Sequence, residues 1–195
     1  MKYFYKDLSL EIPDSVYLPR EDSELLAEAI EKQELKGKKC LDMGCGSGLL
    51  SILIGKNDAI VTAADINLEA VKAARENAAH NKTELHAVYS DLFSNIKEKF
   101  DLIVFNPPYL PGEDSERKEL AYYGGKDGRE TIKRFLVQAK KFMKTGGKIF
   151  LLISTLTGEK EVTNIAHENG YIVKETARKK VPWEEIIVME MRLSD

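Results

Sequence analysis

Short continuous apolar runs alternate along the chain with segments whose apolar residues recur every three to four positions. The runs at 39–43, 59–64, 85–90, 101–105 and 148–154 predict five buried strands. The helical pattern appears between them. Leu25, Leu26, Ala29 and Ile30 share one face, Pro19 stands just before, and Gly37 is expected as the C′ residue. Residues 49–56 form a second helix. Asn67 caps a third, with Val71, Ala74 and Ala78 inward. Ile132, Phe135, Leu136, Ala139 and Met143 mark a fourth, ended by Gly146-Gly147. Val162, Ile165 and Ala166 mark a fifth, capped by Gly170. Residues 3–12 alternate loosely, as a short strand or hairpin would. The runs at 171–181 and 185–193 are joined only by Pro182-Trp183-Glu184, too short a link for a parallel crossover, so they should pair antiparallel.

Strand–helix alternation implies an α/β fold: a mostly parallel sheet with helices on both faces and a terminal antiparallel hairpin. The 195 residues fit a single domain, 1–195, with 1–36 as a strand and helix extension packed on the core. Residues 110–126 lack periodicity and are rich in charge and glycine, so a long functional loop is expected there.

The net charge of −3 argues against broad nucleic-acid binding, which needs a basic surface. The two cysteines, Cys40 and Cys45, have no zinc spacing and read as reduced thiols; no metal site is expected. The first residues carry no signal-peptide apolar core, and no apolar run approaches the roughly 20 residues that span a bilayer. A cytoplasmic location with no membrane partner is the expectation. His80, His86 and His167 read as surface residues, Arg178-Lys179-Lys180 as a solvated edge and Trp183 as packing at a turn.

Chemistry concentrates at strand ends. The first of the five strands runs into Gly44-Cys45-Gly46-Ser47-Gly48 and then a helix, the opening of a nucleotide-binding βαβ unit. Such a loop suits NAD, FAD or S-adenosylmethionine. Leu49 follows Gly48, so the third glycine of the dinucleotide spacing is missing. Asp42 precedes the glycines, Asp65 ends the second strand where ribose hydroxyls are met, and Asp91 ends the third, near an adenine amino group. Three carboxylates in a row would oppose a pyrophosphate but attract a cationic, phosphate-free cofactor. At the end of the fourth strand, Asn106-Pro107-Pro108-Tyr109 supplies an amide, two stiff prolines and an aromatic ring. The prolines push Asn106 and Pro107 towards extended geometry, with carbonyls free to face a cleft.

Asp42-Met43-Gly44-Cys45-Gly46-Ser47-Gly48 resembles the S-adenosylmethionine motif of class I methyltransferases. Asn106-Pro107-Pro108-Tyr109 is similar to the motif of those that methylate planar amino or amide nitrogens. With Tyr17-Leu18-Pro19-Arg20-Glu21-Asp22-Ser23 and Gly124-Gly125-Lys126-Asp127-Gly128-Arg129, nearly the whole chain resembles the HemK-like protein-glutamine N5-methyltransferases, in particular their compact archaeal and eukaryotic branch. The resemblance implies a Rossmann-like, seven-stranded sheet and S-adenosyl-L-methionine as cofactor. It implies as substrate the glutamine of the Gly-Gly-Gln motif of a class I translation release factor. A small zinc-binding activator subunit, as eukaryotic members have, is an implied partner. Bacterial relatives carry an N-terminal helical domain that docks the release factor. Few residues precede Lys39 here, so docking should use the core, its loops or a partner.

On that resemblance the cofactor set is Tyr17, Pro19, Ser23, Asp42, Gly44, Gly46, Gly48, Asp65, Ile66, Asp91, Leu92 and Asn106. Substrate would meet Asn106, Pro107, Pro108 and Tyr109. The Asn106 side-chain oxygen and the Pro107 carbonyl would each accept one N–H of the substrate amide, and Tyr109 would stack on its plane. Three other readings stay open at this point. An adenine-N6 or other exocyclic-amine methyltransferase would meet the same geometry, because adenine also presents a flat C–NH₂. A non-catalytic scaffold would keep the fold alone, and an NAD-dependent oxidoreductase is disfavoured by the loop spacing.

Overall fold

The computed structural model describes residues 1–112 and 124–194. An N-terminal hairpin, β1 (Lys2–Tyr5) and β2 (Leu8–Glu11), precedes helix α1 (Glu21–Glu31). The main sheet then alternates with helices: β3 (Lys39–Met43), α2 (Leu49–Lys56), β4 (Ile60–Asp65), α3 (Leu68–His80), β5 (His86–Tyr89) and β6 (Phe100–Phe105). The chain continues through α4 (Glu130–Ala139), β7 (Met143–Ser154), α5 (Glu159–Glu168), β8 (Tyr171–Val181) and β9 (Glu184–Leu193). The seven-stranded sheet has the order β5-β4-β3-β6-β7-β9-β8. Strands β3 to β7 are parallel, and β9 pairs antiparallel with both β7 and β8.

Strand alternation builds a core on each face. Cys40, Leu102, Val104, Phe150 and Leu152 point to one side, against α1, α2 and α3. Leu41, Ile103, Phe105, Ile149, Leu151 and Ile153 point to the other, against α4 and α5. Register puts the ends of the central strands level, since Met43 pairs with both Ala64 and Phe105. The loops after β3, β4 and β6 therefore open on one edge. The strand order reverses between β3 and β6, which is where open α/β sheets bind ligands.

Several expectations are corrected. Helix α1 ends at Glu31, with Lys32 as its C-cap, so Gly37 is not its C′ residue. Gly37 has φ +70° in the turn before β3, where its N–H bonds the Asp58 carbonyl. Gly146-Gly147 does not end a helix. Helix α4 stops at Ala139, a 3₁₀ turn covers Lys140–Phe142, and Met143 opens β7. Met143 pairs with Phe100, while Lys148 pairs with Leu102, so the two glycines lie in an irregularity of the strand. Trp183 packs on nothing: it is 97% exposed at the β8–β9 turn, with φ +74°. The expected long loop at 110–126 falls largely outside the described residues. Among the described residues, no helix is long and apolar enough to cross a membrane.

Candidate active site

A cleft of about 900 Å³ opens at the C-terminal edge of the parallel strands. Pockets for small ligands run to roughly 300–1,000 Å³, so it has room for a nucleoside-sized cofactor and an inserted side chain. Its walls come from the segment before α1, the β3–α2 glycine loop, the ends of β4, β5 and β6, and the first part of α4.

Each glycine of the loop solves a different problem. A Cβ on Gly48 would stand 2.9 Å from the Ala74 Cα, so its absence lets α2 and α3 pack closely. A Cβ on Gly44 would meet the Phe105 ring at 3.2 Å. A Cβ on Gly46 would meet nothing within 4 Å, although Gly46 lines the cleft with φ +51°. There a side chain would project into the open cleft.

The three aspartates divide the work. Asp42 points to the α2 side of β3 and is 1% exposed; Ser51 donates to it at 2.5 Å. Burial pushes its carboxyl up to about 7, against that hydrogen bond. Asp42 and Gly48 do not line the cleft, so both sit behind the loop rather than facing a ligand. Asp65 does face it. One of its oxygens accepts the Gly46 N–H at 2.9 Å and the other the Asn67 N–H at 2.8 Å. A carboxylate offers about four acceptor positions, so these backbone amides do not exhaust it. Burial raises the Asp65 carboxyl while these amide bonds oppose it. Asp91 lies at the cleft's far end, paired with Arg134 at 2.8 Å. Ile66, beside Asp65, and Leu92, beside Asp91, add apolar surface to the cleft. Leu92 holds φ +47°, and Ser90 donates to its carbonyl at 2.5 Å.

Asn106 sits at the opposite end. Its amide nitrogen donates to Asp22 at 3.2 Å and to the Ser23 hydroxyl at 3.4 Å. Its side-chain oxygen is buried and takes no hydrogen bond among the described residues. A buried acceptor without a donor is costly, so such a group in a cleft points to a ligand that donates. Pro107, Pro108 and Tyr109 also line the cleft. Burial raises the Tyr109 phenol above its ordinary value, helped by the Asp22 and Glu184 carboxylates.

The 124–129 segment braces these residues from behind. A Cβ on Gly124 would stand 2.4 Å from the Pro108 carbonyl, and one on Gly128 would stand 2.3 Å from the Tyr109 carbonyl. Only glycines allow that approach. Arg129 donates to the Thr157 carbonyl at 2.7 Å and ties the segment to the turn after β7.

Tyr17, Pro19, Ser23, Gly44, Gly46, Asp65, Ile66, Asp91, Leu92 and Asn106 are thus brought to one cleft, with Asp42 and Gly48 behind it. Sequence reasoning carried Asp22 within the Tyr17–Ser23 motif but gave it no role of its own. Three acids in the first turn of α1 suggest a dipole effect, and only the fold separates buried Asp22 from its neighbours. Arg134 and Thr131 were also missed, because α4 carries them on a polar face with no motif. Among the described residues lining the cleft, Arg134 is the only cation, and it is already paired. The residues present therefore fit a cationic cofactor and leave no charge for a pyrophosphate. Among the described residues, no cluster suited to a metal ion is found.

The family model of the methyltransferase small domain matches residues 20–182. A Methanocaldococcus jannaschii protein provisionally named protein N5-glutamine methyltransferase is 43% identical, over 93% of this chain and 94% of that protein. The release factor glutamine methyltransferase of Streptococcus pneumoniae is 34% identical over 92% of this chain, which spans 64% of that longer protein. The E. cuniculi Mtq2–Trm112 complex, whose description assigns it methylation of the termination factor eRF1, superposes with TM-score 0.77. The identity there is 29%, covering 92% of this chain and 99% of the matched one.

Proposed function

This chain belongs to the methyltransferase small domain family and, within it, to the HemK-like protein-glutamine N5-methyltransferases; on that premise we propose that its cleft methylates the glutamine of the Gly-Gly-Gln motif of a class I translation release factor. The observation that carries the reading is the buried Asn106 oxygen with no donor among the described residues, in a cleft with an open glycine loop and the Asp65 carboxylate.

S-adenosyl-L-methionine would supply a methyl group activated by its sulfonium. Asp65 would hold its ribose hydroxyls, Ile66, Asp91 and Leu92 its adenine, and the Gly44–Gly46 backbone with Tyr17, Pro19 and Ser23 the methionine end. An amide nitrogen is a poor nucleophile, because its lone pair is shared with the carbonyl. The residues facing the substrate must therefore orient that nitrogen and exclude water. Asn106 Oδ1 and the Pro107 carbonyl would each accept one N–H of the glutamine amide. Two acceptors fix the NH₂ plane and favour positive charge developing on nitrogen. Tyr109 would stack on the flat amide. The neutral Asn106 amide accepts without adding a charge beside the methyl donor. Net, one amide N–H would become N–CH₃ as the donor's S–CH₃ bond breaks, leaving a neutral thioether and one released proton.

The protein partners follow from the same premise: a release factor as substrate and a small zinc-binding activator subunit. The test is mass spectrometry of the release-factor glutamine after incubation with this chain and S-adenosylmethionine, with and without an activator. A gain of one methyl group on that glutamine is expected. Methyl transfer to an adenine-containing oligonucleotide, with none to the release factor, would overturn the reading.

A further inference from the structure

Asp22 is 4% exposed, yet it lies in the first turn of a helix whose other first-turn acids, Glu21 and Glu24, stay out of the buried set. Its carboxylate is fully engaged. One oxygen accepts the Tyr17 hydroxyl at 2.7 Å and the Asn106 amide nitrogen at 3.2 Å. The other accepts the Ser23 N–H at 2.6 Å and the Ser23 hydroxyl at 3.2 Å. That last bond takes the Ser23 hydroxyl proton, so the serine turns a lone pair towards Asn106, whose amide nitrogen reaches it at 3.4 Å.

The consequence for Asn106 is steric and electrostatic. An amide can flip, exchanging its nitrogen and oxygen, at little cost where the surroundings are neutral to the choice. Here both neighbours present acceptors only: a carboxylate, and a hydroxyl whose proton is spent. The nitrogen must face them, and the buried oxygen must face away from them. A flipped Asn106 would set its oxygen against the Asp22 carboxylate and put a donor where the substrate NH₂ belongs. We propose that Asp22 is a positioning residue that locks Asn106 as a hydrogen-bond acceptor, so that with the Pro107 carbonyl the site reads two N–H donors and selects a primary carboxamide over a carboxylate. A glutamate side chain would bring two acceptors to two acceptors and be repelled. This role rests on the methyl-transfer reading of the cleft, and it acts across 84 residues of chain.

The test compares wild type with Asp22→Asn. The replacement keeps size but offers a donor to Asn106, so the amide is free to flip. Three quantities are measured: kcat and KM for release-factor methylation, the dissociation constant of S-adenosylmethionine by calorimetry, and solvent exchange of the Asn106 side-chain amide protons by ¹⁵N NMR. We expect kcat to fall by roughly 100-fold, the loss typical of one misplaced transition-state hydrogen-bonding group. Cofactor affinity should stay within about threefold, as a loss confined to kcat requires. In the wild type, the Asn106 amide protons should exchange far more slowly than those of exposed Asn164. A kcat near wild type, or a cofactor loss that matches the loss in kcat, would overturn the role. If Asp22→Asn fails to fold, the wild-type exchange decides: Asn106 protons exchanging as fast as those of Asn164 sink it. Wild-type enzyme that leaves the glutamine unmethylated defeats the methyl-transfer reading instead, and the exchange rates still judge whether Asp22 holds Asn106.

Discussion

Asn106 and Asp42 show how one residue's surroundings decide its job. Asn106 has its nitrogen bonded to Asp22 and Ser23, while its buried oxygen has no partner among the described residues. Asn106→Ala removes that oxygen without touching the Asp65 end of the cleft. We expect turnover to fall by roughly 100- to 1,000-fold, as for loss of one preorganised transition-state group, with S-adenosylmethionine affinity near wild type. Steady-state kinetics beside calorimetry check this, and normal turnover would defeat the role. Asp42 is the opposite case, a carboxyl turned away from the cleft. Its pKa in the folded protein, about 7, lies above the ordinary 3.8, so the folded state holds the proton more tightly. Its contribution to stability is therefore full below pH 4 and is lost as pH rises through 7. Asp42→Asn removes that loss. Urea unfolding from pH 4 to 8 should show the variant gaining on wild type by up to about 1.4 kcal/mol per pH unit within this window. A gap that stays constant with pH would contradict it.

At the scale of elements, the strand–glycine loop–helix unit separates folding from binding. Gly48 holds φ +88° and abuts Ala74; Gly46 holds φ +51° and abuts nothing. Gly48→Ala should cost about 3 kcal/mol of stability, from left-handed backbone and overpacking together. Gly46→Ala should cost only about 1 kcal/mol, from the backbone alone, but its methyl would enter the cofactor's space. Thermal unfolding and cofactor calorimetry on the pair should show a crossed result, stability lost in one and affinity in the other. The strand beginning at Met143 teaches a complementary point. The face shared by Ile132, Phe135 and Ala139 continues to Met143 in helical register, but there the chain pairs with Phe100 instead. Tertiary pairing overrides a continuing local pattern wherever a side chain finds the same core by either route.

For the whole molecule, the segment ahead of the sheet is part of the site. Asn77 on α3 accepts the Glu11 N–H at 2.8 Å and donates to the Glu11 and Ser47 carbonyls at 3.0 and 2.9 Å. One buried side chain thus joins the N-terminal hairpin to the glycine loop, while Asn81 bonds Ser9 through both backbone groups. Residues 16–23 follow that hairpin into the cleft. Asn77→Ala should cost about 2–3 kcal/mol, because three backbone groups lose their partner. It should also weaken S-adenosylmethionine binding through displacement of Ser47. Calorimetry of folded variant protein checks the second effect, and unchanged affinity would show that the hairpin and loop are independent.

Periodicity and turn chemistry by themselves determined the α/β class, the place of helix α2, the Asn67 cap and the antiparallel end of the sheet, because each depends on neighbours a few positions apart. The glycine loop, Asp65, Asp91 and Asn106-Pro107-Pro108-Tyr109 marked the candidate cleft for the same reason. What only the tertiary structure decided depends on residues far apart in the chain. It turned Asp42 away from the cleft and onto Ser51, left Trp183 in solvent, and set Gly124 and Gly128 against the carbonyls of Pro108 and Tyr109. It also brought Asp22 to Asn106, where a buried first-turn carboxylate accepts from the Asn106 amide nitrogen across 84 residues of chain. Spacing along a chain reports which groups are present; burial and the partners across the fold decide which of them remain free to bind.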